Sequence, residues 1–326
     1  MKRKEIGKSG ILASEISIGT FGMGGGTAWS DTGDDIAASV RLLEEAYDRG
    51  VTFFDSAPVY GGGRAEEILG QAIRGHRDQV IIGTKCSLQW REEYGLFEYT
   101  RDGRSVYRDF RPESLRKDLE DSLRRLGTDY IDVYITHRQP AVEEVPAVMD
   151  TMLRFKQEGK IRAIGISNAS TAHLEAYLAC GQVDLAQEQL SLLGRQRLES
   201  YIPLCEKAGV TFQTYRALEE GALTGKMPAD FAPPPGDVRK NLPWFQPGVP
   251  QKIAEMLAGF RPLTEKYGCS LAVLACAWVK AQSPSINLLV GARKMHNLID
   301  TLQVQAIELS PEDAAAMTAA ANALAL

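Results

Sequence analysis

Short apolar runs, many of them β-branched, alternate along the chain with longer stretches in which apolar residues recur every three to four positions. The short runs are Glu15–Gly22, Phe53–Asp55, Val80–Lys85, Ile131–His137, Ala163–Ser167, Leu185–Gln187, Thr211–Tyr215 and Asn287–Gly291. Most are apolar on both faces, which is the pattern of strands in a parallel sheet covered on both sides. Between them, Asp35–Arg49 carries Ile36, Val40, Leu43 and Tyr47 as a one-sided stripe, which predicts an amphipathic helix. Pro112–Leu126 opens on proline and stops before Gly127, two boundary signals of a helix. Glu143–Gln157, Thr171–Ala179, Tyr201–Ala208, Leu271–Gln282 and Met295–Gln303 continue the alternation. Strands alternating with helices in this way predict an α/β fold, a closed (β/α)8 TIM barrel, with an open doubly wound sheet as the alternative.

Two connections are unusually long: Ser87–Arg111 after the third predicted strand and Lys226–Pro250 after the seventh. The first holds Trp90, Tyr94, Phe97, Tyr99 and Tyr107; the second is rich in proline and holds Trp244 and Phe245. Long loops in a compact domain tend to be functional, and both would leave the rim of a barrel where active sites form. Their aromatic content predicts pocket walls.

The chain has 326 residues, 44% hydrophobic and 24% charged, with a formal net charge of -5. That length suits one barrel domain over residues 1–326. The mild acidity argues against nucleic acid as a main partner. Cys86, Cys180, Cys205, Cys269 and Cys276 are irregularly spaced and lack a metal-binding pattern, so no metal is expected and reduced thiols are. The segment Met1–Gly10 is basic and polar, and the longest apolar run, near Leu271–Val279, is far too short to span a bilayer. A cytoplasmic protein without a membrane partner is the expectation.

Polar residues close the apolar strands. Asp55 ends the second, Lys85 the third, His137 the fourth; Ser167 and Asn168 follow the fifth; Gln187 ends the sixth, Tyr215 the seventh, and Gly291–Arg293 the eighth. Tyr60 follows Asp55 on a loop with Gly61, Gly62 and Gly63. Singly, Asp55 could cap a turn and Lys85 could serve a structural ion pair. Strand ends on one barrel rim converge, however, and charges there are costly unless paired. Asp55, Tyr60, Lys85 and His137 together predict a proton-transfer cluster.

With these residues in hand, the chain resembles the aldo-keto reductase superfamily, on its bacterial, sugar-handling side. Phe53-Phe54-Asp55-Ser56-Ala57-Pro58-Val59-Tyr60-Gly61 is similar to its FDTAxxYG signature, and Ala65–Gly70 to its SExxLG. Ile82–Lys85, Tyr130–His137, Lys160–Asn168 and Gly221–Lys226 match further segments in the same order, from the N-terminal hairpin region at Lys8-Ser9-Gly10 to about Leu309. The resemblance implies a small carbonyl or alcohol substrate, NADP(H) as cofactor, and Tyr60 as general acid. Lys85 would lower the Tyr60 pKa, Asp55 would hold Lys85, and His137 would orient the carbonyl. No GxGxxG motif is present; Gly22-Met23-Gly24-Gly25-Gly26 does not fit it.

The cofactor residues implied by the resemblance span the rim. Gly19, Thr20, Phe21 and Asp55 would lie near the nicotinamide ribose. Ser167, Asn168 and Gln187 would bind the carboxamide, and Tyr215 would stack on the ring. Leu218, Gly221 and Lys226 would surround the pyrophosphate, and Gly291, Ala292, Arg293 and Asn297 the 2′-phosphate. Guanidinium suits a phosphate dianion, so Arg293 points to NADP(H).

This chain departs from the family pattern at three places. Arg216-Ala217-Leu218 replaces Ser-Pro-Leu, and two roles are open to Arg216: clamping the pyrophosphate or reaching the pocket. Asn297, Asp300 and Thr301 replace the usual adenine-side residues. Arg138-Gln139-Pro140 replaces Trp-x-x-Asp, and Arg138 would favour an anionic or heavily hydroxylated substrate. Trp90, Arg138 and Trp244 are the expected substrate-pocket residues. Two rival functions are a Schiff-base lyase using Lys85 and a non-catalytic NADP(H)-binding regulatory subunit. Oligomeric state carries no signature in the sequence.

Overall fold

The computed structural model describes residues 1–25 and 35–324. Thirteen strands are found among them. The first two, β1 (Arg3–Glu5) and β2 (Leu12–Ser14), form an antiparallel hairpin. They are followed by β3 (Ile16–Gly19), β4 (Phe53–Asp55), β5 (Ile81–Cys86), β6 (Leu88–Gln89), β7 (Leu96–Arg101), β8 (Arg104–Arg108), β9 (Ile131–Thr136), β10 (Ile161–Ser167), β11 (Leu185–Gln189), β12 (Thr211–Tyr215) and β13 (Ile286–Gly291). Strands β3, β4, β5, β9, β10, β11, β12 and β13 close into a parallel barrel, each predicted strand taking its place. The TIM-barrel expectation holds, and the open doubly wound sheet is ruled out by the β13–β3 pairing that closes the ring.

Why this sequence makes a barrel can be read from the period of two along each strand. One set of positions, Phe53, Ile81, Val133, Ile135, Ala163 and Leu185, forms an apolar cluster of its own with Ile6, Ile11 and Ala13 of the hairpin. The alternate set, including Phe54, Ile82, Tyr134, Ile164, Ala186 and Phe212, belongs to the larger cluster under the helices. The hairpin therefore plugs the N-terminal end of the barrel interior. Gly7 at its tip has φ of +57°, and a Cβ there would lie 2.4 Å from the Asp184 carbonyl oxygen. Only glycine allows so close a seal.

The helices mostly follow their predicted stripes. Pro112–Leu126 ends on Gly127 in the left-handed region, and Thr171–Cys180 is capped by the Ser170 hydroxyl. Four helices lie outside the predicted ones: Arg64–Ala72 and Val249–Ala258, both with a buried apolar side, and Arg261–Tyr267 and Pro311–Asn322. The second of these takes over the end of the long connection after β12. The connection after β5 is folded too. It forms a three-stranded antiparallel sheet in the order β6-β8-β7, with a tight turn at Asp102 (φ +53°) and Gly103 (φ +72°). It lies largely at the surface: Leu96 and Phe97 are exposed and Val106 is its buried residue in β7 and β8. No helix among the described residues is long and apolar enough to cross a membrane.

Candidate active site

Following the inward positions towards the C-terminal ends of the strands, the apolar plug gives way to a polar layer. Two residues beyond Phe53 stands Asp55; four beyond Ile81 stands Lys85; two beyond Ile135 stands His137; two beyond Leu185 stands Gln187. Asp55 and Lys85 are 2% and 1% exposed. The Lys85 ammonium donates to both Asp55 oxygens, at 2.7 and 2.8 Å, and to the Ser56 carbonyl at 2.7 Å. All three of its protons are therefore used, and burial is offset by a full set of acceptors.

The Asp55 carboxylate is held from the other side by Gln187 Nε2 at 2.9 Å, which also donates to Gln213 Oε1 at 2.6 Å. Gln213 in turn donates to Asn287 Oδ1 (2.9 Å) and Ser17 Oγ (3.1 Å), and Asn287 donates to the Ser14 carbonyl (2.8 Å). This hydrogen-bonded chain crosses the barrel beneath the rim. Ser17, Gln213 and Asn287 were not anticipated as site residues. Their signal was a polar side chain at an inward position of an otherwise apolar strand. Because both Gln187 amide protons are spent, only its Oε1 remains for the expected carboxamide contact.

Tyr60 enters from the turn after β4. Its ring lies 4.9 Å from the Lys85 ammonium, 5.8 Å from the His137 ring at 85°, and 5.1 Å from the Phe21 ring at 72°. The four residues of the predicted cluster are thus together. Burial pushes the Tyr60 phenol above its ordinary pKa; Lys85 pulls it down, and Asp55 pushes it up again. The net shift is upward: Lys85 does pull the phenol down as expected, but burial outweighs it. For Lys85 itself, burial pulls down, but Asp55 and Tyr60 outweigh it and the pKa is raised. His137 goes well below 6.5, through burial first and then the Lys85 and Arg138 charges. It is a neutral imidazole at physiological pH, and its buried Nδ1 has no partner among the described residues.

The residues expected to hold the cofactor are placed as follows. Asn168 sits at φ +56°, a conformation asparagine tolerates. Its Nδ2 donates to the His137 carbonyl (2.9 Å) and Ser167 Oγ (3.0 Å), and its Oδ1 accepts from Tyr215 (2.7 Å). Asn168 therefore fixes the Tyr215 phenol, whose pKa burial pushes up to about 12. Thr20 donates its hydroxyl to Ser56 Oγ at 2.9 Å, and its amide to the Asp55 carbonyl at 2.9 Å. Gly19 and Gly291 are register partners on β3 and β13, two strand ends without side chains. Lys226 reaches Asn297 Oδ1 at 3.1 Å, joining two separate predicted segments. Arg293 packs its Cγ on Gly22, where a Cβ would come within 2.9 Å. Ala292 is buried beside it. Gly26, from the glycine-rich run, lies outside the described residues.

Arg216 turns out to be paired, Nε to Glu220 Oε1 at 2.7 Å, in a segment where Arg216, Glu219 and Glu220 all have positive φ. Leu218 and Gly221 share that turn, the Gly221 amide donating to the Leu218 carbonyl at 3.0 Å. Asp300 accepts from the Ser270 hydroxyl at 2.8 Å, at the start of helix Leu271–Lys280, and so serves the fold. Among the three expected pocket residues, Arg138 lies next to His137 with its Nη1 3.4 Å from the His137 carbonyl. Trp90 has the Arg104 guanidinium 6.0 Å from its ring centroid, on the β6-β8-β7 side. Trp244 lines a separate apolar cavity of about 200 Å³ with Ala222, Met227, Ile253, Leu257 and Leu271, which none of the four clustered residues lines. Among the described residues no group of three or more His, Cys, Asp or Glu could hold a metal ion.

The residues fit the nicotinamide cofactor that the resemblance implies. A bare glycine gap at the rim, a tyrosine with its phenol tied back, and a basic end at Lys226 and Arg293 suit an extended, anionic, aromatic-headed molecule. Comparison with known proteins agrees. The family model described as "Aldo/keto reductase family" matches residues 15–322. An NADH-specific methylglyoxal reductase of Escherichia coli (strain K12) is 37% identical, covering 99% of each chain. The aldo-keto reductase YhdN of Bacillus subtilis (strain 168) is 34% identical over 96% of this chain and 91% of its own length. The solved glycerol dehydrogenase of Gluconobacter oxydans superposes with a TM-score of 0.87 at 32% identity, covering 98% of this chain and 94% of that one.

Proposed function

Because the chain belongs to the aldo/keto reductase family, we propose that residues 1–326 act as one barrel domain that reduces a small aldehyde or ketone to an alcohol, or the reverse, with NADP(H). The observation that carries this reading is the junction of Tyr60, His137 and the buried Lys85–Asp55 pair on one rim. A bound nicotinamide cofactor supplies or accepts the hydride. Everything else falls to the protein. Reduction makes an alkoxide, and Tyr60 gives it a proton as general acid. A phenol held above its ordinary pKa keeps that proton ready throughout the neutral range. Lys85 stabilises the tyrosinate left behind, and Asp55 fixes Lys85. The neutral His137 imidazole donates a hydrogen bond to the carbonyl oxygen without competing for its proton.

Ser167, Asn168, Gln187 and Tyr215 hold the nicotinamide end. Gly19, Thr20, Phe21, Leu218, Gly221 and Lys226 line the middle. Gly291, Ala292, Arg293 and Asn297 take the adenosine end, where Arg293 favours the 2′-phosphate. Two relatives are named for methylglyoxal and glycerol, and small polar oxo and hydroxy compounds are the substrate class proposed for this chain. The Schiff-base alternative is disfavoured, since a nucleophilic amine must be neutral and Lys85 is an ammonium with every proton engaged. The regulatory-subunit alternative is disfavoured by the intact proton-transfer cluster.

The test is turnover of small aldehydes and ketones followed by loss of NADPH absorbance, run in parallel with NADH. Reduction with NADPH preferred supports the reading. A clear NADH preference, as in the Escherichia coli relative's name, would overturn the NADP(H) assignment alone. No turnover with either, from folded protein that binds the cofactor, would return the chain to the regulatory alternative.

A further inference from the structure

Resting on the oxidoreductase reading above, we propose that the substrate carries an anionic group, a carboxylate or phosphate, which Arg138 binds beside the reacting carbonyl. Arg138 comes directly after His137, and the Ser87 hydroxyl pins both its amide and its carbonyl at 3.2 Å. Its side chain is 31% exposed, so a solute can reach it beside His137. Its charge is felt by Tyr60, His137, Tyr99 and Tyr215, residues from four different segments.

The charge balance decides between an anion and a neutral polyol. Arg138 Nε donates to Glu98 Oε1 at 2.6 Å, but the other oxygen of the same carboxylate accepts from Arg108 Nε. One carboxylate, 9% exposed, is thus shared by two guanidiniums. Glu188, the other carboxylate that feels Arg138, is itself paired with Arg197 at 2.8 Å. Three guanidiniums, Arg138, Arg108 and Arg197, are thus answered by two carboxylates, Glu98 and Glu188. Deeper in, the Lys85–Asp55 pair is balanced and His137 is neutral. Among the described residues Arg138 Nη2 has no hydrogen-bond partner. A guanidinium whose only carboxylate is shared with a second one, and which keeps a free donor at Nη2, selects an oxyanion, because a hydroxyl leaves the excess charge uncompensated. Glu98 orients Arg138 by its Nε and leaves the outer edge for the ligand.

A matched set of probes tests this: 4-carboxybenzaldehyde, its methyl ester and 4-formylphenyl phosphate, with kcat and KM measured separately. We expect kcat/KM for the acid to exceed that for the ester by about 10- to 100-fold, expressed in KM, the size of a charge-assisted hydrogen bond. A larger preference for the phosphate than for the acid identifies phosphate as the natural group, and the reverse identifies carboxylate. R138Q should bring the acid-to-ester ratio towards one, and R138K should keep part of it. If R138Q fails to fold, the ratio in the unmodified protein must instead fall as salt is raised, since salt screens a half-exposed ion pair. An ester reduced as well as the acid, a ratio unmoved in R138Q, or a ratio indifferent to salt overturns the inference and leaves the oxidoreductase reading standing. Failure to reduce any of the three aldehydes removes both.

Discussion

Replacing Asp55 with asparagine separates the structural from the chemical role of the buried ion pair. The carboxylate accepts two hydrogen bonds from Lys85 and one from Gln187, with both charged partners at or below 2% exposure. Asparagine keeps the shape but presents an amide donor to two existing donors, and strips the ammonium of its counter-charge. Breaking one side of a buried pair costs about 3–5 kcal/mol, so Asp55→Asn should destabilise by about 3 kcal/mol at pH 7, since the Ser56 carbonyl remains. The pH dependence has a definite sign. In the variant the Lys85 pKa falls below its unfolded value, so the folded state binds fewer protons and stability rises with pH. The deficit should therefore shrink between pH 7 and pH 9. Adding Lys85→Met removes the orphaned charge, and the double variant should recover about 2 kcal/mol of the loss while remaining inactive. Urea unfolding followed by circular dichroism at both pH values measures all of this. A single variant within about 0.5 kcal/mol of the parent, or a double variant no better than the single one, refutes the claim that the pair is a buried, mutually dependent unit.

Other expectations follow from the same site. Tyr60→Phe should lower turnover by about 10²–10⁴-fold with cofactor affinity kept, as read by single-turnover kinetics and fluorescence titration. Because the Tyr60 pKa is raised and that of His137 lowered, the reductive rate should be flat from about pH 6 to 9, while alcohol oxidation, which needs the tyrosinate, should climb throughout that range. A reductive rate that falls with a midpoint near pH 7 would contradict both shifts. Glu220, whose pKa burial pushes up to about 7 and whose Oε2 has no partner, destabilises the fold once ionised. Its folded pKa lies above the unfolded one, so stability is lost as pH rises towards about 7; Glu220→Gln should gain about 1–3 kcal/mol at pH 8 and much less at pH 5, checked by denaturation at the two pH values.

Much of this molecule is legible from local pattern. Each of the eight barrel strands was visible as a short apolar run, because burial on both faces leaves little freedom of composition. Asp55, Lys85 and His137 stood out as charged or titratable residues closing such runs, and Tyr60 as the tyrosine of the glycine-rich turn after Asp55. The β6-β8-β7 sheet was hidden within an apparent loop, since β7 and β8 are mostly exposed or half-buried and carry no regular polar and apolar alternation. Helix Pro311–Asn322 was missed because its alanine-rich surface shows almost no polar or apolar side.

What the sequence alone determined is the eight barrel strands, most of the helices between them and the kinds of chemistry at the strand ends, since these depend on near neighbours along the chain. What only the tertiary structure decided is the electrostatics. Whether Tyr60 is acidified depends on how deeply the phenol is buried against the pull of Lys85 and the push of Asp55. Whether Arg138 is spare depends on one glutamate, forty positions away, being divided between two arginines. Charge acts through space and burial, and both are set by closure of the barrel rather than by order along the chain.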